Sequence, residues 1–136
     1  MKTLESVETY LETILILGQG GKPVRSVDIA NALDYSRPSI SNAMKNLRQK
    51  AYIEINETGY ITITDTGNAI AQTMYERHTW ITEWLISLGV DSAIAAGDAC
   101  RMEHVMSEES FNAIKTHAIQ NHVVLRRIEE PHAEKN

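Results

Sequence analysis

The chain predicts a mostly α-helical protein with one small β-hairpin, and three observations carry that expectation. Apolar residues recur at three- and four-residue intervals over most of the length, two short runs between residues 52 and 63 alternate instead, and the links between segments are short. The predicted order is helix, helix, turn, helix, hairpin, then a wholly helical second half.

Residues 4–17 place Leu4, Val7, Leu11, Ile14 and Leu15 on one helical face, with Glu5, Glu8 and Glu12 on others. Gln19-Gly20-Gly21-Lys22-Pro23 ends that helix, because paired glycines and a proline do not continue one cheaply. Ser26 is the expected N-cap of a short helix 27–33, whose buried stripe is Ile29, Ala30 and Leu33. After a tight turn at Asp34-Tyr35, Ser36 is placed to cap a helix 37–49. Pro38 sits in its first turn, where a missing N–H costs least, and Ile40, Ala43, Met44 and Leu47 form its core face. Tyr52–Ile55 and Tyr60–Ile63 read as strands joined by Asn56-Glu57-Thr58-Gly59. This order is the winged variant of the helix-turn-helix. A long helix follows at about 66–87, then one capped by Asp91 that runs to about 105, then one started by Ser107. The division expected is a winged-helix domain over 1–65, a helical domain over 66–128, and a charged, disordered tail over 129–136.

Composition places the chain among ordinary soluble globular proteins: 43% of residues are apolar and 23% charged, so disorder is expected only at the ends. No run approaches 18 apolar residues and the N-terminus lacks the layout of an export signal, so a cytoplasmic protein with no membrane partner is expected. Cys100 is the only cysteine, which rules out an intramolecular disulfide. The net charge of −5 argues at first against nucleic acid, but its distribution does not. Residues 1–64 hold seven Lys or Arg against seven Asp or Glu, whereas residues 65–136 hold six against eleven. Within 36–50 stand Arg37, Lys45, Arg48 and Lys50 and no acid.

In a helix-turn-helix the N-terminal end of the second helix enters the major groove. Ser36, Arg37, Pro38, Ser39 and Asn42 occupy that end here; Arg37 suits guanine, Asn42 adenine and Ser39 either. Lys45, Arg48 and Arg25 suit backbone phosphates of double-stranded DNA, with no RNA expected. Taken alone, residues 36–50 also fit a merely solvated basic face; the preceding helix, the turn and the hairpin favour DNA. Trp80 and Trp84 lie four residues apart on the long helix and fit either core or subunit interface. Two-fold operators call for a two-fold protein, so a homodimer joined through the second half, with these tryptophans at its interface, is expected.

Cys100, Glu103 and His104 stand at i, i+3 and i+4, which lets one helix face present thiol, carboxylate and imidazole to one point. That set suits Fe, Co, Ni or Zn better than Mg or Ca. Spacing by itself equally allows a buried cysteine beside a surface Glu-His pair.

The run Asp98-Ala99-Cys100-Arg101-Met102-Glu103-His104-Val105-Met106-Ser107-Glu108-Glu109 closely resembles the signature of the iron- and manganese-dependent repressors, the DtxR/MntR family. Val7-Glu8-Thr9-Tyr10-Leu11-Glu12-Thr13-Ile14 is similar to that family's first helix, Ser36-Arg37-Pro38-Ser39-Ile40-Ser41 to the start of its recognition helix, and Arg77-His78 to its histidine-bearing long helix. The resemblance covers roughly 4–125 and corresponds to the short form without an SH3-like third domain. It implies that Cys100, Glu103 and His104 bind the activating metal, with His78 and Glu12 as further ligands. It also implies a repressor of metal-homeostasis genes that binds a palindromic operator as a dimer when loaded with Fe(II) or Mn(II), for which Co(II), Ni(II) or Zn(II) can substitute. Three positions depart from the pattern. Thr9 stands where relatives have methionine or aspartate, Thr82 where many have a ligating glutamate, and Ala96 where iron-type members have a histidine, so the iron-type ancillary site is expected to be absent or incomplete. These departures leave one alternative, a winged-helix regulator that answers to a small ligand or to oxidation of Cys100. An enzyme is not expected: a metallohydrolase built on Cys100, Glu103, His104 and His78 would leave the basic helix without a purpose.

Overall fold

A computed structural model describes residues 2–121. The chain divides into two compact units, Met1–Met74 and Tyr75–Asn136.

The first unit begins with helix α1 (Lys2–Leu17), which ends in a short turn of 3-10 helix at Gln19–Gly21. Helices α2 (Ser26–Leu33) and α3 (Arg37–Gln49) follow, and then strands β1 (Ile53–Ile55) and β2 (Ile61–Ile63). Its core forms where the apolar stripes of these elements meet: Leu11 and Ile14 of α1, Ile29 of α2, Ile40, Met44 and Leu47 of α3, and Ile53 of β1. Ser36 caps α3, its Oγ accepting the Ser39 N–H at 3.3 Å. At α2 the structure corrects the expected cap. Ser26 is the first helical residue, and the N-cap is Arg25, whose N–H donates to the Asp28 carboxylate at 2.9 Å. An acid three residues along satisfies the donor that a serine cap would have left to its own partner.

The hairpin is antiparallel, pairing Ile53 with Ile63, Glu54 with Thr62 and Ile55 with Ile61. The isoleucines therefore share one face while Glu54 and Thr62 are exposed on the other, as the two-residue period of a strand requires. The regular strands are three residues each, shorter than the sequence suggested, although their register continues past both ends: the Thr64 N–H donates to the Tyr52 carbonyl and the Asn56 N–H to the Tyr60 carbonyl, each at 3.0 Å. The connecting turn is shaped by Asn56, whose side-chain oxygen accepts from the Thr58 N–H, the Thr58 hydroxyl and the Tyr60 N–H at 3.0, 2.9 and 2.9 Å. Gly59 has φ 88°, which only a residue without Cβ adopts cheaply. The second strand is tied down twice next to the turn: Ile61 N–H donates to the Val24 carbonyl at 2.8 Å, and the Arg25 guanidinium lies 4.5 Å over the Tyr60 ring.

Helix α4 (Asp65–Ser87) starts in the first unit, and the division between the units falls within it. The second unit contains the rest of α4 with α5 (Ser92–Val105) and α6 (Glu108–Gln120). Asp91 and Ser107 cap α5 and α6 through side-chain oxygens, as expected. Trp80, Ile81, Ala99, Phe111 and Ala118 form its core. Trp80 meets Phe111 edge-on at 5.7 Å and stacks on Trp84 at 5.6 Å. Trp80 is thus 4% exposed within a single chain, and Trp84 is partly buried. Among the described residues no helix is long and apolar enough to cross a membrane. The expected tail 129–136 lies outside the described residues, as does 122–128 at the end of the expected second domain.

Candidate metal centre and nucleic-acid interface

Helix α3 divides cleanly. Ile40, Met44 and Leu47 are buried, while Ser36, Arg37, Pro38, Ser39, Asn42, Lys45 and Arg48 are all exposed, as is Arg25 at the start of α2. A helix that packs one stripe on its own core and turns arginine, serine, asparagine and lysine outward offers the donor types that base edges and phosphates accept. Tyr35, in the turn before α3, is exposed and meets Tyr10 of α1 edge-on at 6.4 Å. Burial, and then the neighbouring Tyr35 phenol, push the Tyr10 hydroxyl above its ordinary value of 10.0.

The second unit holds a buried carboxylate between two imidazoles. Glu103 of α5 is fully buried, its Oε1 2.9 Å from His78 Nδ1 of α4 and its Oε2 3.6 Å from His104 Nε2. The His104 side chain is 5% exposed and that of His78 29%. A carboxylate withdrawn from water is costly unless charge or hydrogen bonds compensate. Two nitrogens and a carboxylate on one point form a donor set suited to a divalent transition metal. Within the second unit, His78, Glu103 and His104 of the five expected ligands are thus brought together. Cys100 is exposed one turn earlier on α5, the reverse of the buried-thiol alternative that spacing allowed. Glu12 is buried on α1, in the first unit. At the positions that depart from the resemblance, the Thr82 hydroxyl donates to the His78 carbonyl at 2.7 Å within α4, and Ala96 offers no donor atom.

Residues 2–60 match the family model described as the iron dependent repressor N-terminal DNA binding domain, and residues 64–120 match its metal binding and dimerisation domain. The chain belongs to the iron-dependent repressor family. It is 34% identical over 111 residues to the transcriptional regulator MntR of Escherichia coli O157:H7, across 82% of this chain and 72% of that protein. It is 28% identical over 107 residues to the iron-dependent repressor IdeR of Mycobacterium tuberculosis H37Rv, across 78% of this chain and 46% of that one. A solved manganese-dependent transcriptional repressor in complex with manganese shares the fold, with a TM-score of 0.75 at 22% identity over 82% of this chain and 51% of that chain. The chain thus spans about half the length of IdeR and of that solved structure. The family consists of transcriptional repressors, which sets the metallohydrolase alternative aside.

Sequence reasoning missed the part played by Arg77. This repressor-family chain buries Arg77 to 8% exposure, and its Nη1 donates to the carbonyls of Glu103 at 3.1 Å and Met106 at 2.6 Å. The available signal was a basic residue immediately before the histidine of the long helix, on the stripe that also carries Trp80 and Ile81.

Proposed function

We propose that this chain is a cytoplasmic homodimeric repressor of metal-homeostasis genes, gripping a palindromic operator when loaded with Fe(II) or Mn(II). The observation that carries the reading is the buried Glu103 carboxylate flanked by His78 and His104. In this reading His78, Glu103 and His104 supply donor atoms, joined by Cys100 from the same face of α5 and by Glu12 from α1. When bound, a divalent cation would supply positive charge that neutralises carboxylates and draws donors on separate helices to one point. Residues 1–65 then form the reading head and 66–128 the metal-binding and dimerising part. Arg37, Ser39 and Asn42 read bases, while Arg25, Ser36, Pro38, Lys45 and Arg48 set the approach to phosphates; their common exposure supports this. Trp84, partly buried within one chain, stands at the dimer interface in this reading, while Trp80, 4% exposed, packs behind it. Metal acts on DNA affinity only by differential binding to the DNA-competent state, and a coupling of about 1–3 kcal/mol corresponds to roughly 5–150-fold.

The test is an anaerobic titration with Fe(II), Mn(II), Co(II) and Zn(II), read by mobility shift on the chain's own promoter, for wild type, Glu103→Gln and His104→Ala. Stimulation by Fe(II) or Mn(II) in wild type, and its loss in both variants while they remain folded dimers, is expected. Equal operator binding with and without every metal overturns the reading. One second reading draws on the exposure of the Cys100 thiol: release of the operator on oxidation. It requires peroxide to abolish binding in wild type and to spare Cys100→Ser, whatever the metal.

A further inference from the structure

We infer that Arg77 is the positioning residue of the metal centre, fastening the main chain at the end of α5 so that Glu103 and His104 stand where they meet His78. The inference rests on the reading of those three side chains as metal ligands.

Helix α5 ends at Val105, so Glu103 and His104 occupy its last turn. The final carbonyls of a helix have no N–H partner within it, and helix ends fray. Two of the candidate ligands therefore sit on the turn least able to hold them still. Arg77 answers that weakness directly. One nitrogen of its guanidinium binds the carbonyl of Glu103, inside the last turn, and that of Met106, the residue that caps it. A cation at this end also complements the helix dipole. The group is further held by Phe111 of α6, whose ring centroid lies 5.3 Å from the Arg77 Cζ. The guanidinium thus joins α4, the end of α5 and the first turns of α6.

The next residue completes the grip. His78 meets the Glu103 carboxylate at 2.9 Å while Arg77 holds the Glu103 carbonyl at 3.1 Å, so consecutive residues of α4 seize one residue of α5 at its side chain and at its backbone. Side chains one residue apart leave a helix about 100° apart, so the two holds come from different directions and restrain rotation as well as distance. An arginine serving only the stability of the unit would have no need to end on the residue whose carboxylate lies at the centre. Partners outside the ligand set that orient ligands typically contribute about 10–100-fold in metal affinity.

The experiment titrates Co(II) and Mn(II) anaerobically into the full chain as wild type, Arg77→Met, Arg77→Lys and Phe111→Leu, recording affinity, the Co(II) visible spectrum and the metal-free thermal midpoint. Arg77→Met is expected to bind about 10–100-fold more weakly with a changed Co(II) spectrum. Arg77→Lys keeps the charge but not the planar fork, and falls between the two, weaker than wild type by about threefold or more. Phe111→Leu lowers the thermal midpoint and, because both carbonyl bonds of Arg77 remain available, weakens binding far less than Arg77→Met and keeps the wild-type Co(II) spectrum. Wild-type affinity and spectrum in Arg77→Met overturn the inference, as does an equal loss in Phe111→Leu. Should Arg77→Met not fold, wild-type affinity in Arg77→Lys overturns it. A wild-type chain that binds neither ion overturns the metal reading and this inference together, so the two failures are told apart.

Discussion

Replacing Gly67 with alanine sets two effects of opposite sign against each other. Gly67 lies in the first turn of α4, where alanine is favoured over glycine by about 1 kcal/mol of helix propensity. A Cβ at this position would stand 2.2 Å from the Tyr52 carbonyl oxygen and 3.1 Å from Ile63 Cγ1. That is roughly 1 Å inside the ~3.3 Å at which carbon and carbonyl oxygen begin to touch. The obstacle is backbone, so no rotamer change relieves it. Either α4 or the Tyr52 peptide must move, at about 1–3 kcal/mol for overpacking. The same movement stretches the Thr64 N–H bond to Tyr52 at 3.0 Å and the Thr64 hydroxyl bond to the Ala51 carbonyl at 2.8 Å. Each such bond is worth about 1 kcal/mol net. The balance is a loss of about 2–4 kcal/mol after the propensity gain is subtracted. Urea unfolding followed by far-ultraviolet circular dichroism, at equal protein concentration so that dimerisation does not confound the comparison, measures it. A Gly67→Ala protein as stable as wild type, or more so, refutes the reasoning.

Three further outcomes are expected. Ser36→Ala removes the cap of α3 and should destabilise the chain by about 1 kcal/mol in the same unfolding assay. Arg37→Ala and Asn42→Ala, both exposed, should leave metal affinity and thermal midpoint unchanged while flattening discrimination among operator variants in competition binding. Because the Tyr10 hydroxyl is raised in the folded chain, the native state keeps its proton more tightly than the unfolded state. Its stabilising contribution is then fully present below about pH 10 and is lost as pH rises through the folded value. Stability against pH measured above pH 10 should therefore fall less steeply in Tyr10→Phe than in wild type.

The sequence made much of the fold legible because its signals are local. The bounds of α3 follow from a serine cap, a first-turn proline and an apolar stripe, and Asp91 and Ser107 announce α5 and α6 in the same way. Where a bond to a more distant residue decides the matter, the expectation slipped. Ser26 lost the cap to Arg25 because Asp28 serves the Arg25 N–H. The candidate metal centre divides along the same line. Helical spacing grouped Cys100, Glu103 and His104, yet it could not tell that Glu103 is buried and Cys100 exposed, which depends on what packs against α5. That His78 would meet Glu103, 25 residues away, came only from resemblance, and the hold of Arg77 on the α5 carbonyls came from neither source. Helical spacing does not reveal which main-chain oxygens a side chain will reach.

The turn between the two strands owes its conformation to a single amide oxygen on Asn56 and to the backbone freedom of Gly59. Glu57 contributes neither, so its identity is decoupled from whether the hairpin forms. Natural variation can recast the charge presented at that apex without reopening the folding problem, whereas on α3 the buried stripe of Ile40, Met44 and Leu47 cannot be exchanged so freely.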